Sequence, residues 1–283
     1  MPDLRQSLFF IRAVRALEGR YLSGVLGVWE SSRPALLASL SGSTWSIQRY
    51  TDVMEQAGRA IASRGQQHIP QIVDVVSSYV HHQRETLNYL GLTASQAAIE
   101  LEPATLHAFA PIYSGLPAWR AGAYGTILTD VQRLQASGQT NATIAATVTA
   151  QEITNGRVSA WRRANVALQV AATGAIWNAV NGALHHSYKQ LEKIDQRGYQ
   201  KQAIAAVDGR TTRCCLNVHG QIRELDEMFH LTGTPRYGDY LLQPAFHDQC
   251  RTVMALYAPE MEMIGATTEE LRRTAKTERD RRK

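Results

Sequence analysis

From Ser159 to Gln196 the chain carries an unbroken helical pattern without a proline, in which Trp161, Ala164, Leu168, Ala171, Ile176, Val180, Leu184 and Tyr188 can line one or two buried faces. The run is rich in small residues, among them Ala171, Ala172, Gly174, Ala175 and Ala179, which let neighbouring helices approach closely. An element of this length and composition needs other helices packed round it, so the chain is expected to be mainly α. Gly198 ends the run, and His185 and His186 near its end read as structural.

The helices to pack against it lie upstream. Leu4, Leu8, Ile11, Val14, Leu17, Tyr21, Val25 and Val28 predict an amphipathic helix over residues 4–30, which Pro34 ends or follows with a short successor. After a turn at Gly42, Ser43 and Thr44, a second stripe runs through Ile47, Tyr50, Val53, Met54, Ala57 and Ile61. A third helix spans about Pro70 to Leu90 and closes at Gly91, with His81 and His82 outward. Residues 91–120, with Pro103, Pro111 and Pro117, read as a junction or exposed arm whose Phe109, Tyr113 and Trp119 cover helix faces. Helices at 121–134 and 141–150 follow, then an Asn-Gly turn at 154–157.

Beyond Gly198 the pattern changes. Gln202–Val207, Leu216–Ile222 and Arg251–Tyr257 read as three short strands of a small α+β unit, with a turn-rich Cys/His loop cluster between the first and the last. The expected organisation is therefore a helical domain over 1–196, a small C-terminal unit over 197–262 and a basic tail over 263–283. All three cysteines and three of the nine histidines fall between Asp208 and Arg251. Thiolate and imidazole on short loops are the donors from which tetrahedral metal sites are built. The candidate ligands are Cys214 or Cys215, His219, His247 and Cys250, while His230 reads as a surface residue. Adjacent cysteines point in different directions and rarely serve one tetrahedral ion together, so one of Cys214 and Cys215 is expected to take part.

Taken as a whole, residues 208–251 resemble the C-terminal motif of the phage Mu F-like minor head protein family, whose members act in phage head morphogenesis. Members carry Asp-x-Arg-Thr-Cys-x-x-Cys, a Gly five residues on, and later Pro-x-x-His-x-x-Cys-Arg-Cys. Asp208, Arg210 and Thr211 fall on the opening positions, Cys215 on the second Cys, Gly220 on the Gly, and Pro244, His247, Cys250 and Arg251 on the closing motif. Thr212 and Thr252 stand where two family cysteines are usual. The resemblance implies a portal-proximal structural protein of the virion, made in the host cytoplasm, with a place in genome packaging or ejection. Its implied partners are the portal protein, the major capsid and other head proteins, and packaged DNA. The family pattern would also supply a structural zinc set, a cysteine at the position of Thr212 together with Cys215, His247 and Cys250; Thr212 removes one thiolate, for which Cys214 or His219 would have to stand in, and a metal-free packed cluster is the expectation here with bound zinc the alternative.

Charge and motif content bound the remaining classes. A net charge of +5 is compatible with DNA or an acidic protein surface without requiring either. Thr267 or Thr268 can cap a short helix beginning at Glu269, and the cations of the last stretch, Arg272, Arg273, Lys276, Arg279, Arg281, Arg282 and Lys283, are either candidate contacts with nucleic acid or a partner, or part of a solvated tail. An odd count of cysteines does not fit a secreted disulfide framework, MPDLRQSLFF lacks the core of a leader, and no apolar run reaches membrane-spanning length. A metal-dependent enzyme such as a nuclease is the second class, but neither His-Glu-x-x-His nor a nucleotide-binding glycine loop is present. The expectation is a structural protein and not an enzyme.

Overall fold

In a computed structural model of the chain, residues 4–40, 47–92, 94, 126, 127, 129–149, 160–232, 238–247, 249–264 and 267–282 are described. The helical part comprises α1 (Leu4–Leu40), α2 (Ile47–Gln67), α3 (Ile69–Tyr89), α4 (129–136), α5 (Asn141–Val148) and α6 (Ala160–Asp195). The strand-bearing part follows with β1 (Gln200–Ala205), α7 (Arg213–Val218), β2 (Ile222–Glu224), β3 (Phe229–His230), β4 (Tyr240–Leu241) and β5 (Thr252–Tyr257). A 3-10 turn (Pro259–Ile264) and α8 (Thr268–Asp280) close the chain. The protein is mainly α, with a long helical N-terminal region and a small C-terminal part of short antiparallel strands. The turn at Gly42, the aromatic positions Phe109, Tyr113 and Trp119, the turn at 154–157 and Lys283 lie outside the described residues.

Two expectations fail locally. Pro34 does not end α1, which runs on to Leu40. Proline gives the Glu30 carbonyl no donor, yet the buried stripe continues past it through Leu36 and Ser39. Ser31 and Ser32 Oγ donate to the carbonyls of Val28 and Trp29, at 2.8 and 2.7 Å, so side chains occupy acceptors on the turn that proline disturbs. The strand read at Leu216–Ile222 is instead the one-turn-plus helix α7 followed by a tight turn and the short β2. Leu216 and Val218 alternate as strand residues would, but Cys214, Cys215, Leu216 and Val218 are all buried, which a short helix wedged into a core allows.

The chain divides into two units that differ from the predicted boundary at residue 196; the divisions fall within α1 and within α6. One unit comprises Gly19–His68 and Ala110–Ala172. Tyr21, Val25 and Trp29 on α1, Met54, Ala57 and Ile61 on α2, and Ile144 and Val148 on α5 form its core. Trp29 stacks on Trp161 with ring centroids 4.0 Å apart, and Trp161 Nε1–H donates to Glu30 at 3.3 Å. Thr140 caps α5 by accepting from the Thr143 N–H.

The other unit comprises Met1–Glu18, Ile69–Phe109 and Thr173–Lys283, so helix ends and the strand-bearing part share one core. Phe10 of α1 stacks on Tyr79 of α3 at 4.0 Å, and Trp177 of α6 donates to Glu18 at 2.8 Å. Large side chains buried this way are each worth on the order of 1.5–3 kcal/mol. The sheet has the order β2-β1-β5, antiparallel throughout, with Ala203 opposite Met254. A sheet this small is marginal alone, and α6 supplies the missing support. Asn181 donates to the Thr252 carbonyl and accepts the Met254 N–H, both at 3.1 Å, while Tyr188 OH donates to the Met254 carbonyl at 3.0 Å.

The central strand β1 is covered on both faces. Lys201, fully buried, donates to the carbonyls of Leu225 and Leu242, each at 2.7 Å, with its ammonium 5.3 Å from the centroid of Phe229. Burial pulls its pKa down to about 8 against the opposing charges of Asp226 and Glu227. Gln202, on the opposite face as strand alternation requires, reaches Thr268 of α8 at 3.1 Å. The helix expected after Thr267 is present, and it runs on through the basic stretch to Asp280 and is built into the unit. Thr267 and Glu270 cap it reciprocally, and Leu271 and Ala275 are buried. No helix among the described residues is long and apolar enough to cross a membrane.

Candidate metal centre

The loop that leaves β1 is tied to itself before it reaches α7. Asp208 Oδ1 accepts the Arg210 N–H at 2.9 Å and the Thr211 hydroxyl at 3.2 Å, and Thr211 Oγ1 accepts the Asp208 N–H at 2.9 Å. Asp and Thr close such turns because a short side-chain oxygen reaches the backbone two or three residues on. Arg251, at the entry to β5, then donates to both Asp208 oxygens. Arg210 contributes its backbone N–H to this loop, and its side chain is exposed. Arg282 from the end of α8 donates to the carbonyls of Thr211 and Asp208, fastening the same loop from a third direction.

This bracing sets Cys214 and Cys215 in the first turn of α7 opposite the returning chain. Cys215 Sγ lies 2.9 Å from His247 Nε2 and 3.6 Å from Cys250 Sγ. Cys214 belongs to the same group, since its sulfur, that of Cys215 and a ring nitrogen of His247 lie within 4.8 Å of one another. Thr212 leaves the helix N–H groups and turns its hydroxyl to His247 Nε2 at 2.7 Å and Cys214 Sγ at 3.0 Å. The position where the resembled family carries a thiolate is therefore at the cluster here too, with a hydroxyl in its place. Pro244 and Phe246 are buried in the segment that delivers His247, and Phe246 meets Phe229 edge-on at 5.7 Å.

The electrostatics follow from three buried sulfurs beside a half-buried imidazole. Burial disfavours the imidazolium, but the sulfurs of Cys214 and Cys250 outweigh it and raise the His247 pKa to about 10. Burial also opposes a thiolate at Cys250, yet hydrogen bonds from Cys215 and His247 hold its pKa well below the usual thiol range. Cys215 moves the other way, because it donates to the neighbouring sulfurs. The cluster thus favours one negative sulfur beside one positive ring.

The donor set suits a soft, four-coordinate ion. Zinc with bonds of about 2.3 Å to sulfur puts neighbouring tetrahedral sulfurs about 3.8 Å apart, and the Cys215–Cys250 separation is 3.6 Å. The Cys214, Cys215 and His247 group can hold a metal ion, and Cys250 Sγ lies 3.6 Å from one member of it, Cys215.

Other candidates go elsewhere. His219 is not at the cluster: its ring is buried and Nδ1 accepts the Ala205 N–H at 2.9 Å, closing α7 against β1. Gly220 has φ of +78°, and a Cβ there would meet Leu271 Cβ at 3.1 Å and the Thr268 carbonyl at 3.3 Å, so α8 can dock only against glycine. Arg273 pairs with Glu270 at 3.9 Å, and Arg281 and Arg282 pair with Glu278 at 3.0 and 2.7 Å. Arg272, Lys276 and Arg279 line a separate cleft. Adjacency predicts one ligand between Cys214 and Cys215; only the start of a helix, where consecutive residues turn through about 100°, lets both sulfurs reach one place. Compared with known proteins, the chain matches no family model, no curated sequence and no solved structure.

Proposed function

We propose that the protein is a minor head protein of a tailed phage, portal-proximal and acting in head morphogenesis, with a place in genome packaging or ejection. The observation that carries this reading is that the positions resembling the Mu F-like motif are mutually dependent parts of one fastening: Asp208 with Arg251, Thr211 with the Asp208 turn, Cys215 with His247 and Cys250, Gly220 with α8. A motif of this kind is spent on holding loops, and its thiols are 3% exposed or less, which suits a structural part better than a substrate-facing nucleophile. The portal protein is the proposed partner, with the major capsid protein, other head proteins and DNA as neighbours. Quantitative protein composition of purified proheads and mature virions tests the reading. The chain should be present at low copy in one or both, and its absence from both overturns it.

The cluster supports a second statement, that it holds a structural zinc ion through Cys214, Cys215, Cys250 and His247. Three thiolates and an imidazole complete a tetrahedral set of the kind zinc takes in closed sites, and Cys214 supplies the ligand that Thr212 withholds. Bound zinc would lock the Asp208–Val218 segment to the 244–251 loop, strengthening a small sheet region that has few residues of its own.

A further inference from the structure

We propose that the cleft between α8 and the turn joining α7 to β2 is an oxyanion site that takes a phosphate group. The cleft has a volume of about 360 Å³, and its walls include Arg223, His219, Arg272, Lys276 and Arg279. Arg272, Lys276 and Arg279 recur at i, i+4 and i+7 and so share one face of α8. Among the described residues none of these three has an acidic partner. Of the four acids of the helix, Glu270 is engaged in the cap and with Arg273, and Glu278 with Arg281 and Arg282, while neither Glu269 nor Asp280 pairs with these three cations. Arg223, in contrast, shares its charge with Glu227 at 3.4 Å.

The wall holds a buried donor as well as exposed charge. His219 is 2% exposed, and its Nδ1 accepts the Ala205 N–H, which places the proton of the neutral ring on Nε2. That Nε2–H has no hydrogen-bond partner among the described residues, although His219 lines the cleft. A neutral ring N–H without a protein acceptor at the wall of the cleft is a donor that an incoming oxyanion can accept from. Burial pushes the His219 pKa down to about 4, so the ring remains a neutral donor at ordinary pH. Arg279 is already steadied by Asn217 Oδ1 at 3.2 Å, while Arg272 and Lys276 make no recorded hydrogen bond. Three cations without acidic partners exceed what one carboxylate neutralises and match a phosphate, whose oxygens accept from guanidinium forks and an ammonium together.

The phosphate can belong to a nucleic-acid backbone or to a small phosphorylated molecule, and two probes separate these sources. The full-length chain is titrated with inorganic phosphate by calorimetry, and with a fluorescent 20-base-pair DNA duplex by anisotropy at several salt concentrations. Inorganic phosphate should bind, and the doubly substituted Arg272→Gln, Lys276→Gln protein should bind it roughly tenfold or more weakly. Both positions are exposed, so its thermal midpoint should stay unchanged. If DNA is the source, the duplex binds more tightly than phosphate, and the double substitution lowers the salt slope by about two charges. If the duplex does not exceed phosphate, the small molecule is the source. Arg273→Gln, which removes the same charge outside the cleft, should change affinity by less than about twofold. The proposal is overturned if neither probe binds, if Arg273→Gln weakens binding as much as Lys276→Gln, or if a polyglutamate peptide competes as well as phosphate. It stands apart from the head-protein reading, since absence from virions leaves phosphate binding untouched and the reverse also holds.

Discussion

Arg251 donates to both carboxylate oxygens of Asp208, at 2.7 and 2.9 Å, across 43 residues of chain. Arg251 follows Cys250 directly, and Asp208 opens the loop that carries Cys214 and Cys215, so this single fork sets how closely the two halves of the cluster approach. The Arg251 side chain is 15% exposed and that of Asp208 38%, which places the pair at the edge of the core and not on the open surface.

Breaking the fork should therefore cost stability and loosen the cluster together. Asp208→Asn and Arg251→Gln are each expected to destabilise the protein by about 1–3 kcal/mol, with the double variant losing less than the sum. Burial raises the Asp208 pKa, but hydrogen bonds from Arg251 and the Arg210 N–H, with the Arg251 charge, bring it below its ordinary value. A carboxylate held down in the folded state contributes fully above its unfolded pKa of about 3.9 and loses that contribution as pH falls through the folded value. Urea midpoints for wild type and Asp208→Asn should differ from pH 6 down to about pH 4 and close only as the pH falls further, through the depressed folded pKa; a gap that persists at the lowest pH would show that the carboxylate charge is not the cause.

Elemental analysis of natively purified protein, prepared without added zinc and with a thiol titration beside it, should give close to one zinc per chain and protected thiols. Cys215→Ser and His247→Ala should each abolish the metal. Conversion of Thr212→Cys, which adds a thiol at a position already beside His247 and Cys214, should retain zinc and resist chelators longer. Metal-free protein with an unchanged fold and three titratable thiols would instead establish a packed sulfur cluster.

His219 should give the molecule an acid-sensitive step of its own. Burial holds its folded pKa near about 4, whereas an unfolded histidine titrates near about 6.5. Between these values the unfolded chain binds a proton that the folded one does not, so stability falls as pH drops from 6.5 to 4 and levels off below, by on the order of 3 kcal/mol in all. His219→Asn keeps an acceptor for the Ala205 N–H and removes the titration. Its unfolding free energy should be flatter across that window, and an unaltered slope would assign the acid step to another group.

Two glycines with the same backbone sign separate strain from docking. Gly198 has φ of +71° and open space around a built Cβ, while Gly220 has φ of +78° and Leu271 Cβ at 3.1 Å. Gly198→Ala should cost about 1–2 kcal/mol from the left-handed conformation alone. Gly220→Ala should cost about 1–3 kcal/mol more because α8 must also move, measured by urea denaturation of both variants. Equal costs would mean that α8 yields freely.

The helices were legible because their cause is local. The stripe Ile11, Val14, Leu17, Tyr21 and Val25 repeats at the helix period whatever it packs against, and the same holds for Ile72, Val76 and Val80 and for the alanine-rich run after Ala160. The alternation of Val253, Ala255 and Tyr257 likewise announced β5. Spacing also marked Cys214 or Cys215, His247 and Cys250 as candidate ligands, together with His219, which goes elsewhere. What local pattern could not carry is which partner each side chain finds. Leu216 and Val218 fit a strand as well as a helix, and only the shared burial with Cys214 and Cys215 chose α7. Nothing in the surroundings of Lys201 on the chain marks it for the core; two carbonyls from separate loops keep it there. The basic residues beyond the cap at Thr267 read as partner contacts or a solvated tail until Leu271 found Gly220 and Arg282 found the Asp208 loop. Periodicity is a property of neighbours three or four residues apart and is written in the sequence. The inclusion of Cys214, the Arg251 fork and the docking of α8 depend on contacts between residues dozens of positions apart, which exist only once the tertiary structure has formed.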